Sequence, residues 1–268
     1  MRAHMELRDR VAVVTGGTAG IGQAIARRFV EEGARTAILG RDDDAGRKVE
    51  AALKARAGQL GAGECSYFHV DVGNSEQVRA AISQLVKRWD AIDVLVNNAA
   101  VMATGPLVDM DEAEWDQTMS VNMRGPFLMA KYAIPHMPEH GAIINISSVH
   151  AVATDTHSTA YSASKGWLEA FTRGLALECY ERRIRVNALR LGAVDTDMLW
   201  NNPQVKSGAE AIDKREVGDP AEVAEVALFL ASPRSRFVSG TVLTADGGRL
   251  PILGSHAGTH TIRSLSRN

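Results

Sequence analysis

Val11-Ala12-Val13-Val14-Thr15-Gly16-Gly17-Thr18-Ala19-Gly20-Ile21-Gly22 is a short apolar, β-branched run that breaks into a glycine cluster. Such a run predicts a buried strand. The glycines predict a tight turn, because they turn freely and let the backbone approach another group closely. A helical pattern follows, with Ile21, Ile25, Ala26 and Phe29 on one face and Gly33 closing it. A helix starting in a glycine turn presents free N–H groups and a partial positive charge to an anion.

The same alternation continues along the chain. Strands are expected at residues 11–15, 35–39, 67–70, 92–96, 141–147, 184–189 and 241–245. Helices are expected at 42–57, 78–89, 112–136, 159–182 and 220–231. Strands that read as continuous apolar runs between helices are buried on both faces. The expectation is one Rossmann-like, doubly wound α/β domain over residues 1–268. It has about seven mostly parallel strands and helices on both faces. The first strand-to-helix turn of such a fold is where dinucleotides bind. Residues 195–217 are polar, hold Pro203 and Gly208 and lack a period, so they are expected to form a substrate lid. Residues 251–268 read as a polar tail that is disordered or packs on a neighbouring subunit.

Bulk properties narrow the function. The 268 residues are 45% hydrophobic and 23% charged, enough for a sizeable core. A net charge of −2 without a long run of one sign argues against nucleic acid as the main partner. No apolar stretch nears the roughly 20 residues of a membrane span, and the N-terminus lacks the apolar region of a secretory signal. A cytoplasmic protein is expected. Cys65 and Cys179 are expected to stay free thiols. His256 and His260 in the tail lack the acidic or cysteine neighbours that would complete a metal site, so no metal is expected.

The glycine turn departs from the common G-x-G-x-x-G spacing. Thr15-Gly16-x-x-x-Gly20-Ile21-Gly22 instead resembles the TGxxxGIG loop of the short-chain dehydrogenase/reductase family. Further matches follow in the family's order: Asp71-Val72, Asn97-Asn98-Ala99-Ala100, Ser148, Tyr161 and Lys165 within YSASK, and the closing Ser239-Gly240 and Asp246-Gly247-Gly248. They span residues 7–248. Two positions differ, since Ala100 replaces a glycine and Leu191-Gly192 replaces a Pro-Gly. Loss of the proline removes a fixed φ at the start of the lid. The resemblance implies an NAD(P)-dependent oxidoreductase that moves a hydride between a nicotinamide and an alcohol or ketone carbon. It is similar to sugar dehydrogenases and 3-oxoacyl reductases. It also implies a tetrad of Asn122, Ser148, Tyr161 and Lys165, in which Asn122 holds a water that relays protons to Lys165 and the lysine binds the cofactor ribose. The implied cofactor contacts are Thr15, Gly16, Gly20, Ile21, Gly22, Arg41, Asp71, Val72, Asn98, Ala99, Tyr161, Lys165, Gly192, Val194 and Thr196. The family forms homotetramers or homodimers, through its two longest helices and last strand.

These residue types suit that chemistry. Ketone reduction needs a proton for the oxygen, and alcohol oxidation needs its removal. A tyrosine with a free pKa of about 10 needs a drop of about 3 units to act as a base near neutrality. Lys165 lies four residues after Tyr161 on one helix face, and an ammonium about 4 Å away supplies that shift at an effective dielectric near 20. Ser148, just past a strand end, can bond the reacting oxygen. A cofactor-binding regulator without turnover is the rival reading. A hydrolase built on Ser148 lacks the G-x-S-x-G elbow.

The second strand ends at Gly40-Arg41, where NAD-binding folds place an acidic residue. A guanidinium suits a ribose 2′-phosphate, so NADP(H) is preferred, while Asp42 to Asp44 keep NAD(H) open. A small-molecule substrate is expected to meet His150, Leu199 and Trp200, with Met102, Asp155 and His157 as weaker candidates. Arg190 is expected to meet an anion or, as the blander alternative, to pair with Asp195 or Asp197.

Overall fold

The computed structural model describes residues 5–208 and 212–250. Its strands are β1 (Val11–Thr15), β2 (Arg35–Gly40), β3 (Glu64–His69), β4 (Val94–Asn97), β5 (Ala142–Ser148), β6 (Arg185–Leu191) and β7 (Val242–Ala245). They form one parallel sheet in the order β3-β2-β1-β4-β5-β6-β7. The helices are α1 (Gly20–Glu31), α2 (Asp43–Leu60), α3 (Ser75–Trp89), α4 (Glu112–Met119), α5 (Gly125–Ala133), α6 (Thr159–Glu178), α7 (Asp197–Trp200), α8 (Pro203–Ser207) and α9 (Pro220–Ala231).

Strand alternation splits the core. Ala12 and Val14 of β1 face Ile25 and Phe29 of α1, Leu53 of α2 and Leu228 of α9. Val11 and Val13 face the layer of Ile82 and Leu85 from α3, Met129 from α5 and Leu175 from α6. Cys65 and Cys179 are free, and they belong to opposite layers. The chain winds outward from β1 through β2 to β3, then returns to β4 on β1's other side. This reversal leaves a crevice at the C-terminal ends of β1 and β4.

Local chemistry sets the boundaries. α9 starts on a capping box, in which Asp219 accepts from the Ala221 N–H and Glu222 accepts from the Asp219 N–H. The single helix expected over 112–136 is interrupted by a π-helical turn at Ser120–Arg124. Pro126 has no N–H to give the carbonyl four residues back, so the α-helical ladder breaks at Asn122. β3 starts three residues earlier than its apolar run, because Glu64 pairs with Arg35 by register.

Leu191 causes no irregularity where the proline is missing. It remains in β6, paired with Ala245, and is buried in the core. The ladder runs on into Gly192, whose N–H donates to the Ala245 carbonyl at 3.1 Å. β7 thus fixes the direction in which the chain leaves the sheet. The aperiodic segment that follows is pinned at both ends: Val194 bridges to Gly218, the Asp195 N–H donates to the Gly218 carbonyl at 2.9 Å, and the Gly218 N–H donates to the Ala193 carbonyl at 3.0 Å.

Candidate active site

A cleft of about 1110 Å³ lies along the C-terminal ends of the strands. One end is the glycine turn. Gly16 and Gly20 hold φ of +63° and +50°, which side chains disfavour. A Cβ on Gly22 would overlap the Gly16 carbonyl oxygen, so its role is close packing of α1 against the turn. Ala19 at the N-cap offers no side-chain acceptor, and the first N–H groups of α1 remain available to an anion. Gly40 leaves room for Thr18, because a Cβ there would lie 2.8 Å from the threonine methyl. Arg41 is exposed on the same wall. This cradle and cation fit a pyrophosphate and a phosphorylated ribose.

The other end is built by β5 and α6. Ser148 ends β5 and caps the following turn, accepting from the His150 N–H at 3.3 Å. Tyr161 and Lys165 project from the first turns of α6, and each is at least nine-tenths buried. The Lys165 ammonium donates to the Ile146 carbonyl at 2.8 Å and lies 5.4 Å from the Tyr161 ring centroid. The His150 ring stands edge-on to Tyr161, with 5.6 Å between centroids, and its Nδ1 lies 2.9 Å from the Thr154 hydroxyl.

The electrostatics correct one expectation. The protein's own groups do not lower Tyr161. Burial pushes the phenol up to about 12, and the opposing pull of the Ser148 hydroxyl is smaller. Burial brings Lys165 down to about 8 for the same reason, since its charge is costly away from water. Burial sets both groups, and the Lys165 ammonium is committed to the Ile146 carbonyl. The upward shift of Tyr161 favours the protonated phenol. Burial likewise lowers His150, against the pull of Asp155.

Most sequence candidates line this cleft: Gly16, Gly20, Ile21, Arg41, Asp71, Val72, Asn98, Ala99, Ser148, His150, Tyr161, Lys165, Gly192, Val194, Thr196 and Leu199, with Met102 and Asp155. Thr15 lies beneath it. Its hydroxyl accepts from the N–H groups of Asn98 and Ala99 at 2.9 and 3.0 Å, tying β1 to the loop after β4. Asn122 is also buried beneath it. Its Nδ2 donates to the Val101 carbonyl at 2.8 Å and to Ser164 Oγ at 3.0 Å, and its Oδ1 accepts from the Val101 N–H at 2.9 Å. The Trp200 indole instead borders a separate cavity and donates to Asp195 at 2.6 Å. His157 does not line the cleft; its carbonyl accepts from the Gly105 N–H. Arg190 does not pair with Asp195 or Asp197. It makes a two-pronged ion pair with Glu169, at 2.8 and 2.6 Å. Residues 256 and 260 lie outside the described residues. Among the described residues, no cluster of three or more His, Cys, Asp or Glu could hold a metal, and no helix is long and apolar enough to cross a membrane.

Residues 16–249 match the family model described as Enoyl-(Acyl carrier protein) reductase. The chain is 35% identical to a 3-oxoacyl-[acyl-carrier-protein] reductase of Chlamydia trachomatis, over 90% of this chain and 97% of that protein. It is 35% identical to a glucose and ribitol dehydrogenase of Daucus carota, over 91% and 86%. A short-chain dehydrogenase from Burkholderia cenocepacia, solved in complex with NADP, superposes with a TM-score of 0.82 at 32% identity, covering 90% of this chain and 98% of that one. This chain belongs to the short-chain dehydrogenase/reductase family. It is an oxidoreductase acting on CH–OH or keto groups.

The cleft of this dehydrogenase/reductase is also lined by residues that the motifs did not disclose, Thr18, Arg249 and Leu250, and by Asp42, which the sequence singles out only for NAD(H). Thr18 occupies a variable position of the glycine loop, and the other three follow motif residues without belonging to a pattern. The Glu169–Arg190 pair joins a helix to a strand 21 residues apart in sequence, beyond any local period.

Proposed function

We propose that this enzyme is an NADP(H)-preferring reductase or dehydrogenase of a secondary alcohol–ketone pair, with a hydroxylated sugar or polyol or a 3-oxoacyl-type compound as substrate. The observation carrying this is the meeting of Ser148, Tyr161 and Lys165 in the cleft that also holds the glycine turn. The cofactor, when bound, gives a hydride to the carbonyl carbon or takes one from the carbinol carbon. Tyr161 gives its phenolic proton to the substrate oxygen in reduction, and Ser148 bonds that oxygen as charge develops on it. Lys165 sits beside the resulting phenolate and stabilises it with its charge. Asn122 fastens the Val101 loop to Ser164, one residue before the lysine, and so holds the cleft floor. Arg41 faces the 2′-phosphate, and the NADP found in the Burkholderia cenocepacia relative supports that assignment.

His150 and Leu199 face the substrate, and residues 195–217 act as its lid. In support, Gln204 of α8 donates to the Thr156 carbonyl at 2.6 Å, joining the lid to the loop after Ser148. The molecule is a cytoplasmic homotetramer. Exposed Phe127 on α5, Leu177 on α6 and Phe237 before β7 suit burial between subunits. The test is absorbance at 340 nm with NADPH or NADH and a panel of ketones, then the reverse panel with sugars and polyols. Turnover with either panel supports the reading. No turnover together with tight cofactor binding would favour a cofactor-binding regulator.

A further inference from the structure

Lys165 and Glu169 are one helical turn apart on α6, and both are buried, at 3% and 5% exposure. At that spacing a lysine and a glutamate ordinarily reach each other, and in a desolvated setting the attraction would be strong. Here they do not pair. Glu169 is fully engaged elsewhere: Oε1 accepts from Arg190 Nε at 2.8 Å and from the Ser147 hydroxyl at 2.9 Å, and Oε2 accepts from Arg190 Nη2 at 2.6 Å. Lys165 donates to the Ile146 carbonyl, and burial alone accounts for its depressed basicity, with no contribution from Glu169. Arg190 is raised chiefly by Glu169, with a smaller pull from Asp246.

We propose that Arg190 is a positioning residue that occupies Glu169 and thereby keeps the carboxylate off Lys165, so that the lysine stays directed at Ile146 and Tyr161. This rests on the proposed role of Lys165. Around the lysine, Tyr161 shares its helix, the Ser120–Arg124 turn presents the neutral Asn122, His150 stands beyond the tyrosine, and the acidic side chains of α4 are exposed.

The experiment compares Arg190→Met, Arg190→Lys, Glu169→Gln and the double variant Glu169→Leu/Arg190→Met in the full-length enzyme, once wild-type turnover has been established. Circular dichroism checks folding. Arg190→Met frees Glu169 to capture Lys165. Its kcat should fall about 100-fold, as misplaced catalytic groups do, and the limb of the pH–kcat/KM profile that reports Lys165 should move to higher pH, because a carboxylate beside the ammonium favours its charged form. Arg190→Lys should stay within about threefold of wild type, because it still offers Glu169 a cation. The double variant and Glu169→Gln should also retain wild-type kcat and pH profile within about threefold, because neither leaves a carboxylate to compete. A purely structural bridge would instead impair Glu169→Gln about as much as Arg190→Met, since each leaves one partner unpaired, and would spare only the double variant. That result, or an Arg190→Met enzyme with an unmoved pH profile, overturns the proposal. If Arg190→Met does not fold, Glu169→Gln decides the question alone: wild-type turnover supports the proposal and impaired turnover overturns it. A wild-type enzyme without turnover would instead count against the proposed function, before any variant is compared.

Discussion

Tyr161 and Lys165 illustrate how burial governs single residues here. Removing the phenolic oxygen with Tyr161→Phe should lower kcat by at least about 100-fold, as expected for loss of a general acid. Cofactor affinity, followed by quenching of protein fluorescence, should stay nearly unchanged; substantial residual turnover would refute the assignment of Tyr161. Lys165 makes a second, opposite prediction about stability. Its pKa is about 8 in the fold against an ordinary 10.5, so the unfolded chain binds the proton more readily, and stability rises with pH between those values. Below pH 8 the fold carries the full cost of the buried charge. Lys165→Met should therefore be more stable than wild type at pH 7 by up to roughly 3 kcal/mol. The difference should shrink toward pH 10 in parallel denaturant titrations at the two pH values. Arg41→Leu removes a charged donor, worth about 1.5–3 kcal/mol, or roughly 10–100-fold in NADPH affinity. NADH affinity should hardly move, and equal losses for both cofactors would argue against a 2′-phosphate site. That Ser148, Tyr161, Lys165 and the glycine turn meet in one cleft was legible in the motifs. The direction of the tyrosine's shift was not, because spacing along a helix says nothing about how completely water is excluded.

At the level of elements, the sequence period located every strand and the main helices, because buried parallel strands are continuous apolar runs. Its errors lie where one residue's backbone chemistry outweighs the period. Pro126 turns one expected helix into α4, a π turn and α5, and this break buries Asn122 against Val101. Glu64 conceals the start of β3, since a charged residue can take a strand register when its side chain finds partners, here Arg88 and Trp89 of α3. The glycine turn is the most exacting element. Gly22→Ala puts a methyl into the Gly16 carbonyl, and such overpacking typically costs 1–3 kcal/mol. The variant should melt at lower temperature and bind NADPH at least about tenfold more weakly, since a displaced turn withdraws N–H groups from the phosphates. Unchanged cofactor affinity would mean that the turn does not touch the cofactor.

The whole molecule has all its strand ends, and hence its cleft, on one edge, as the strand-helix alternation implied from the outset. What alternation could not convey is which distant residues meet there. Trp200 and Leu199 are neighbours in sequence, yet one borders the cleft and the other a separate cavity. The exposed apolar residues on α5, α6 and near β7 predict self-association. Light scattering during size-exclusion chromatography should give four chain masses, and a monomer at micromolar concentration would refute the tetramer.

The bridge between Val194 and Gly218 sets the two ends of residues 195–217 side by side. Seen as a polymer, the segment between them is a loop already closed at its neck. Closing a flexible loop of twice the length costs only about 0.6 kcal/mol more. The sheet is therefore insulated from changes in this insert, and lengthening or shortening it beyond Thr196 should cost the fold little while leaving the cofactor-lining residues in place.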